Sequence, residues 1–141
     1  MKKINSERGQ SLVELSISLV FILYLLSGMV EFGIALFQFV QLRDAAQEGA
    51  LYGSINPSKT NEIIARVRNA SSAPLNLNDT SLVTVTVTST YSGGTCAANG
   101  TDSVTVKVSY NHVVFLPFFR NISGRTSIPL EATVVDTILV C

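Results

Sequence analysis

One carboxylate, Glu14, stands in an otherwise apolar stretch from Leu12 to Val30, just after the run Arg8-Gly9-Gln10-Ser11-Leu12-Val13. A lone carboxylate at mid-bilayer costs about 2.5 to 3.5 kcal/mol on insertion scales, and less where it can snorkel to an interface. Glu14 therefore asks for a partner, the alternative being a side chain that snorkels to the cytoplasmic interface. Gly9 is either a small residue at a cutting point or simply the glycine that opens the helix. A basic leader, a small residue at a possible cut and one carboxylate in an apolar helix are hard to explain together as an ordinary anchor.

The other residues with chemical potential are sparse. His112 is the sole histidine, it has no Ser or Cys partner in a recognisable motif, and the carboxylates show no motif spacing. Ser92-Gly93-Gly94 lacks the lysine and following helix of a phosphate-binding loop. Cys96 and Cys141 lack the close spacing of a metal site. These patterns give no enzyme, no cofactor and no metal. With 14% charged residues and a formal net charge of zero, no basic surface argues for nucleic acid.

A chain of 141 residues, 47% of them hydrophobic, has room for one membrane segment and one small domain. As a helix, residues 12–30 span roughly 28 Å, close to the ~30 Å hydrocarbon thickness. A cleaved secretory signal is the rival reading. Its apolar region is normally about 7 to 15 residues long and ends at small residues, whereas here it continues past Gly28 to Val40. Lys2, Lys3 and Arg8 against Glu7 put the amino terminus in the cytoplasm, and the chain beyond about Gln41 outside. In that oxidising compartment Cys96 and Cys141 are either disulfide partners, worth about 4 kcal/mol on the chain-entropy account, or two buried thiols.

The expected organisation is a leader over residues 1–9, one long helix over 10–53 that spans the membrane at about 12–30, and an extracytoplasmic α+β head over 54–141. No proline interrupts the helix. Its second half is amphipathic, with Phe39, Leu42, Ala46, Ala50 and Gly53 on one side and Gly49 at its margin. These small residues predict close packing of the head on that face. Tyr24, Ser27, Glu31, Ala35 and Gln38 form a polar stripe, read either as a helix-helix contact or as the point where the helix leaves the bilayer. Ser54-Ile55-Asn56-Pro57 breaks the helix, and a second one is expected over 59–71 with Ser58 or Thr60 as its cap. Residues 71–79 read as a connector.

Thereafter the period becomes two. Val83, Val85 and Val87 alternate with threonines, and Val104, Val106, Val108 and Tyr110 repeat the pattern, predicting two strands joined as an antiparallel hairpin through 91–100. A third strand is expected over about 127–140, with Leu130, Ala132 and Val134 on one face and Pro129 favouring either an edge position or a late beginning. Residues 113–119, Val-Val-Phe-Leu-Pro-Phe-Phe, either plug the gap between sheet and helix or dip into the membrane surface. The fold class is α+β: a long N-terminal helix packed on a small antiparallel sheet.

Arg8-Gly9-Gln10-Ser11-Leu12-Val13-Glu14, Glu31-Phe32-Gly33 and Asp44-Ala45-Ala46-Gln47-Glu48-Gly49-Ala50 together resemble the TadE-like pseudopilins of tight-adherence (type IVc) pilus systems. That family typically shows an R-G-x-x-x-V-E start, an E-F-G element and an A-A-x-E-G-A element at similar separations. The resemblance covers about residues 8–53, and beyond Gly53 only the general plan of a small strand-rich domain is similar. It implies cutting between Gly9 and Gln10 by a prepilin peptidase, which makes Gln10 the first residue and Glu14 the fifth. In pilin-like proteins the fifth-position glutamate is associated with the new amino group of a neighbouring subunit. The first residue in the broader class is often Phe, whereas here it is Gln10, and an amino-terminal glutamine can cyclise and lose its charge.

The implied partners are other pilin or pseudopilin subunits, the peptidase, the assembly platform and the lipid bilayer. Glu14 and Glu31 are the candidate assembly residues. The implied role is a minor pilin or pseudopilin supporting adhesion or secretion, single-pass in the inner membrane or extracellular in a pilus. The alternatives are a permanently anchored extracytoplasmic binding domain and a major filament subunit.

Overall fold

The computed structural model describes residues 7–91, 93, 102–115, 124 and 126–140. Among them are two helices and one sheet: α1 (Glu7–Ile55), α2 (Thr60–Asn69), β1 (Val83–Ser89), β2 (Ser103–Val113) and β3 (Ser127–Thr137). The chain divides into two compact units, Met1–Ile34 and Ala35–Cys141. Both cysteines, residues 116–119 and most of the leader and of the hairpin loop lie outside the described residues.

α1 exceeds the expected 10–53 by a few residues at each end. It stops where Pro57 disfavours helical backbone at Asn56, whose N–H still reaches the Tyr52 carbonyl at 3.0 Å. α2 is shorter than expected, and neither Ser58 nor Thr60 caps it. Lys59 occupies the cap position without a side-chain bond, and its carbonyl accepts the N–H groups of Glu62 and Ile63 at 3.0 and 3.1 Å. Glu62 in the first turn and Arg66 and Arg68 in the last suit the helix dipole.

A surface network orients α2 on α1. The Tyr52 hydroxyl donates to the Glu62 carboxylate, Lys59 Nζ lies 3.3 Å from the same oxygen, and the Arg66 guanidinium stands 5.1 Å from the centre of the Tyr52 ring. The shared hydrogen bond raises the Tyr52 pKa and lowers that of Glu62. All these groups are solvated, so the network sets geometry more than it adds stability.

The sheet has the order β1-β2-β3 and both pairings are antiparallel, Val85 lying opposite Val108 and Val108 opposite Ala132. β3 is an edge strand, and Pro129 sits opposite Asn111 near its start, where a missing N–H is tolerated. Strand alternation sends Val104, Val106, Val108 and Tyr110 of the central strand inward, together with Val83 and Ala132. Leu130 and Val134 pack against this core from β3, on the face expected for them.

The helix contributes Leu42, Ala45, Ala46 and Ala50 to the same core, and α2 contributes Ile63 and Val67. Small residues decide how close the layers come. A Cβ at Gly49 would lie 2.4 Å from Val67 Cγ2, and one at Gly53 would lie 3.0 Å from Val104 Cγ2. Gly49 is thus central to the contact, not marginal. Phe39, expected on this face, is exposed instead, while Ala45 and Ser54, absent from that expectation, are buried. The covered arc follows positions 42, 45, 46, 49, 50, 53 and 54, the stripe of a helix packed along its length.

The connector is also part of the core. Leu75 and Leu77 are buried, and Arg68 Nη1 donates to the Leu77 carbonyl at 3.0 Å. At the far end, the Leu139 N–H donates to the Ser54 carbonyl at 2.8 Å, which satisfies a carbonyl at the C-terminus of α1 and ties the end of the chain to the helix.

Candidate functional site

The candidate site lies at the start of α1. Gly9, Gln10, Val13, Glu14, Ile17 and Ser18 line one shallow side of the helix. Helical spacing produces the grouping, because positions four apart stack on one face and Gln10, Glu14 and Ser18 follow that interval. A Cβ at Gly9 would meet nothing within 4 Å, so no packing inside the chain requires glycine there. Gln10 and Glu14 are both exposed. Among the described residues, no hydrogen-bond or ion-pair partner reaches the Glu14 carboxylate.

Two hydroxyls of the apolar segment are handled differently. Ser16 Oγ donates to the Leu12 carbonyl at 2.7 Å and Ser27 Oγ to the Tyr24 carbonyl at 2.8 Å. Each hydroxyl is thereby satisfied within its own helix and is compatible with an apolar surrounding. A carboxylate cannot do this, since it only accepts and the helical N–H groups are already used. Glu14 is therefore a charged group of the early helix whose needs the helix cannot meet.

Glu31 lies about 25 Å further along the helix, so the two carboxylates form separate points and not one site. Tyr24, Ser27, Gly28 and Glu31 are intermediate in exposure, whereas the large apolar residues from Leu12 to Leu26 are exposed.

Residues 9–51 match the TadE-like protein family. The TadE-like match takes in Gly9, Gln10, Glu14, Glu31 and the Ala45–Ala50 element, and stops within α1. The matched segment is what the chain shares with this family, and it covers the first part of α1 and most of the second. The head from residue 56 onward lies outside the match. No curated protein and no solved structure matches the chain. The TadE-like segment contains a helix long and apolar enough to cross a membrane, and none of its apolar window is buried within the chain.

The structure also places residues that carried less weight in the sequence. His112 is inward-facing on β2 and buried, with Nδ1 2.6 Å from Gln38 Oε1 of α1. Its signal was its register with Val104, Val106, Val108 and Tyr110, two residues apart along one face. Among the described residues no group of three or more His, Cys, Asp or Glu could hold a metal ion.

Proposed function

We propose that the chain is a minor pilin or pseudopilin of a tight-adherence pilus, held in the inner membrane by the first half of α1 with its head outside. A prepilin peptidase removes the leader between Gly9 and Gln10. The subunit then joins other pilin-like subunits on the assembly platform through its helix, in support of adhesion or secretion. Glu14 is the principal assembly residue, Glu31 a second polar contact further along the helix, and Cys96 and Cys141 a disulfide pair of the head.

The observation that carries this reading is the spacing of Gly9, Gln10 and Glu14 in a helix that leaves the carboxylate exposed. A buried or internally paired Glu14 would have served folding. An exposed one in an apolar segment is costly until something outside the chain meets it. The reading is structural and not catalytic.

A strain carrying Glu14→Leu tests it. Leucine at this position removes the cost of the carboxylate in the bilayer, so the variant should insert and persist in the membrane while pili fail to form. Normal pilus formation in that strain, together with a native chain beginning at Met1, would sink the pilin reading in favour of a permanently anchored binding domain.

A further inference from the structure

We infer that the two free edges of the sheet are complementary, and that β3 of one copy takes β1 of a second copy as a parallel fourth strand. Nothing in this pairing requires a pilus, so it stands apart from the function proposed above.

The bonds that flank the strands fix which backbone groups lie at each free edge. The Val114 N–H donates to the Thr126 carbonyl at 3.2 Å and the Ile138 N–H to the Asp102 carbonyl at 2.9 Å, both continuing the register of β2 with β3. Even-numbered residues of β3 therefore bond to β2, and odd-numbered ones turn N–H and C=O to the free edge. The Thr90 N–H reaches the Ser103 carbonyl at 3.0 Å and the Asn111 N–H the Leu82 carbonyl at 3.2 Å, which continues the register of β1 with β2. Odd-numbered residues of β1 thus also face a free edge. Among the described residues, the edge-facing N–H and C=O groups of Val85, Val87 and Ser89 on β1 and of Glu131, Thr133 and Val135 on β3 have no partner. Val83 is buried with its N–H on the Asp79 carbonyl, and the Thr137 N–H is held by the Asp136 carboxylate.

Edge strands are usually blunted by proline or charge. β3 carries Pro129 and Glu131 early on its free edge and Asp136, turned back onto its neighbour, near its end. β1 is an alternation of valine and threonine with neither device. Such an edge is a template for another strand.

Edge and face together select one arrangement. The odd-numbered Val83, Val85 and Val87 of β1 point to the core, whereas on β3 the even-numbered Leu130, Ala132 and Val134 do. In an antiparallel pair the residues that exchange bonds lie side by side on one face. Joining these two edges that way would set Val85 and Val87 on the face of Glu131 and Thr133, with the helices of the two copies on opposite faces. A parallel pair sets each bonding residue beside one that bonds away, and so keeps both cores on one face.

With Thr133 beside Thr86 of the second copy, Leu130 meets Val83, Ala132 meets Val85, Val134 meets Val87 and Asp136 meets Ser89. Apolar groups meet apolar and polar meet polar. Val85, Val87, Leu130 and Val134 are only partly buried in a single copy, so the seam covers what each edge leaves open. The N–H groups of Val85, Val87 and Ser89 then reach the carbonyls of Glu131, Thr133 and Val135, and those of Thr133 and Val135 reach the carbonyls of Val85 and Val87. On the outer face Glu131, Thr133 and Val135 lie beside Thr84, Thr86 and Thr88, with no like charges opposed. The two surfaces differ, so the contact is heterologous and leaves one edge of each kind open to further copies.

Photo-cross-linking of the full-length protein in detergent tests the seam. Thr86→p-benzoylphenylalanine protein is mixed with parent labelled with heavy nitrogen, irradiated over a concentration series, and the linked peptides are read by mass spectrometry. The labelled peptide should contain Thr133, and the same probe at Asn111 on the central strand should give no link between copies. A link from Thr86 to β1 of the labelled copy, or no link between copies at any concentration, would overturn the seam. Val135→Pro removes an N–H that bonds nothing in its own copy, so the sheet should persist while the yield of linked peptide falls about tenfold. Unchanged yield in the folded variant would overturn the seam as well. Val87→Pro tests the opposing edge in the same way should Val135→Pro fail to fold. Pilus formation is read in none of these measurements, so their failure leaves the proposed function as it stands.

Discussion

α1 up to Ile34 and α1 from Ala35 onward are one element by backbone and two by chemistry. In the first part Leu12, Leu15, Leu19, Leu23 and Leu26 are all more than half exposed. In the second part Leu42, Ala45, Ala46 and Ala50 are essentially inaccessible, and polar residues occupy the opposite side. Apolar content alone therefore does not tell which part of the helix folds the protein. The second part spends its few small residues on close approach to α2 and β2. The first part carries a long apolar window of which none is buried within the chain among the described residues, the surface that the proposed reading gives to lipid and other subunits.

Leucine truncation in each part should separate the two roles most strongly. Leu42→Ala leaves a cavity in the head and should cost about 2 to 5 kcal/mol. Leu23→Ala should leave head stability unchanged. Urea unfolding of the two variants in detergent, followed by circular dichroism in the β region, makes the measurement. Equal losses would show that the first part also folds the head.

Glycines sharpen the same contrast at smaller amplitude. In α1 beyond Ala35, Gly49→Ala drives a Cβ to within 2.4 Å of Val67 Cγ2 and should destabilise by about 1 to 3 kcal/mol. That outweighs the gain of about 0.5 to 1 kcal/mol that alanine normally brings to a helix interior. Combining it with Val67→Ala should recover part of the loss, as thermal unfolding of the double variant would reveal. Gly33→Ala meets nothing within 4 Å, so the monomer should tolerate it or gain stability.

The smallest effect belongs to the connector that leads into the sheet. The Ser81 hydroxyl and N–H donate to Asp79 Oδ1 at 2.5 and 2.9 Å, and they hold the Asp79 carboxyl below its usual range, the hydroxyl bond contributing most. A pKa lower in the folded state than in the unfolded one stabilises the fold above the unfolded value. That contribution is lost as pH falls through the folded value. Asp79→Asn should therefore differ from the parent at neutral pH and converge with it in acid, as a series of unfolding curves would record.

Elements with a strong period were the ones legible in the sequence. The Val-Thr alternation of β1 and β2 needs no tertiary information, because the side-chain period of a strand is two and one face is buried. Pro129 left an edge position or a late start for β3 open, and the strand takes the edge while starting at Ser127. The helical face was only partly legible, since Ala45, Ala46, Gly49 and Ala50 are weak hydrophobic signals. Which of them lies at the centre depends on the shape of Ile63, Val67 and Val104 across the contact. Lys59 at the start of α2 was not legible either, because it satisfies the helix through its carbonyl and not its side chain. Leu75 and Leu77 looked like connector residues, being placed among asparagines and a proline. Of the candidate site, Gly9, Gln10 and Glu14 were readable as a spacing, and the structure adds the exposed position of Glu14. The bond from Gln38 to His112 joins residues far apart in sequence, and no local pattern announces it.

The central claim is that the first part of α1 serves contacts outside the chain, starting with the junction at Gly9. Intact mass and terminal sequencing of the native protein test it most directly. The account predicts a chain that begins at Gln10, either as free glutamine or as its lactam lacking one ammonia. A chain that retains Met1 or the leader in assembled pili would contradict it.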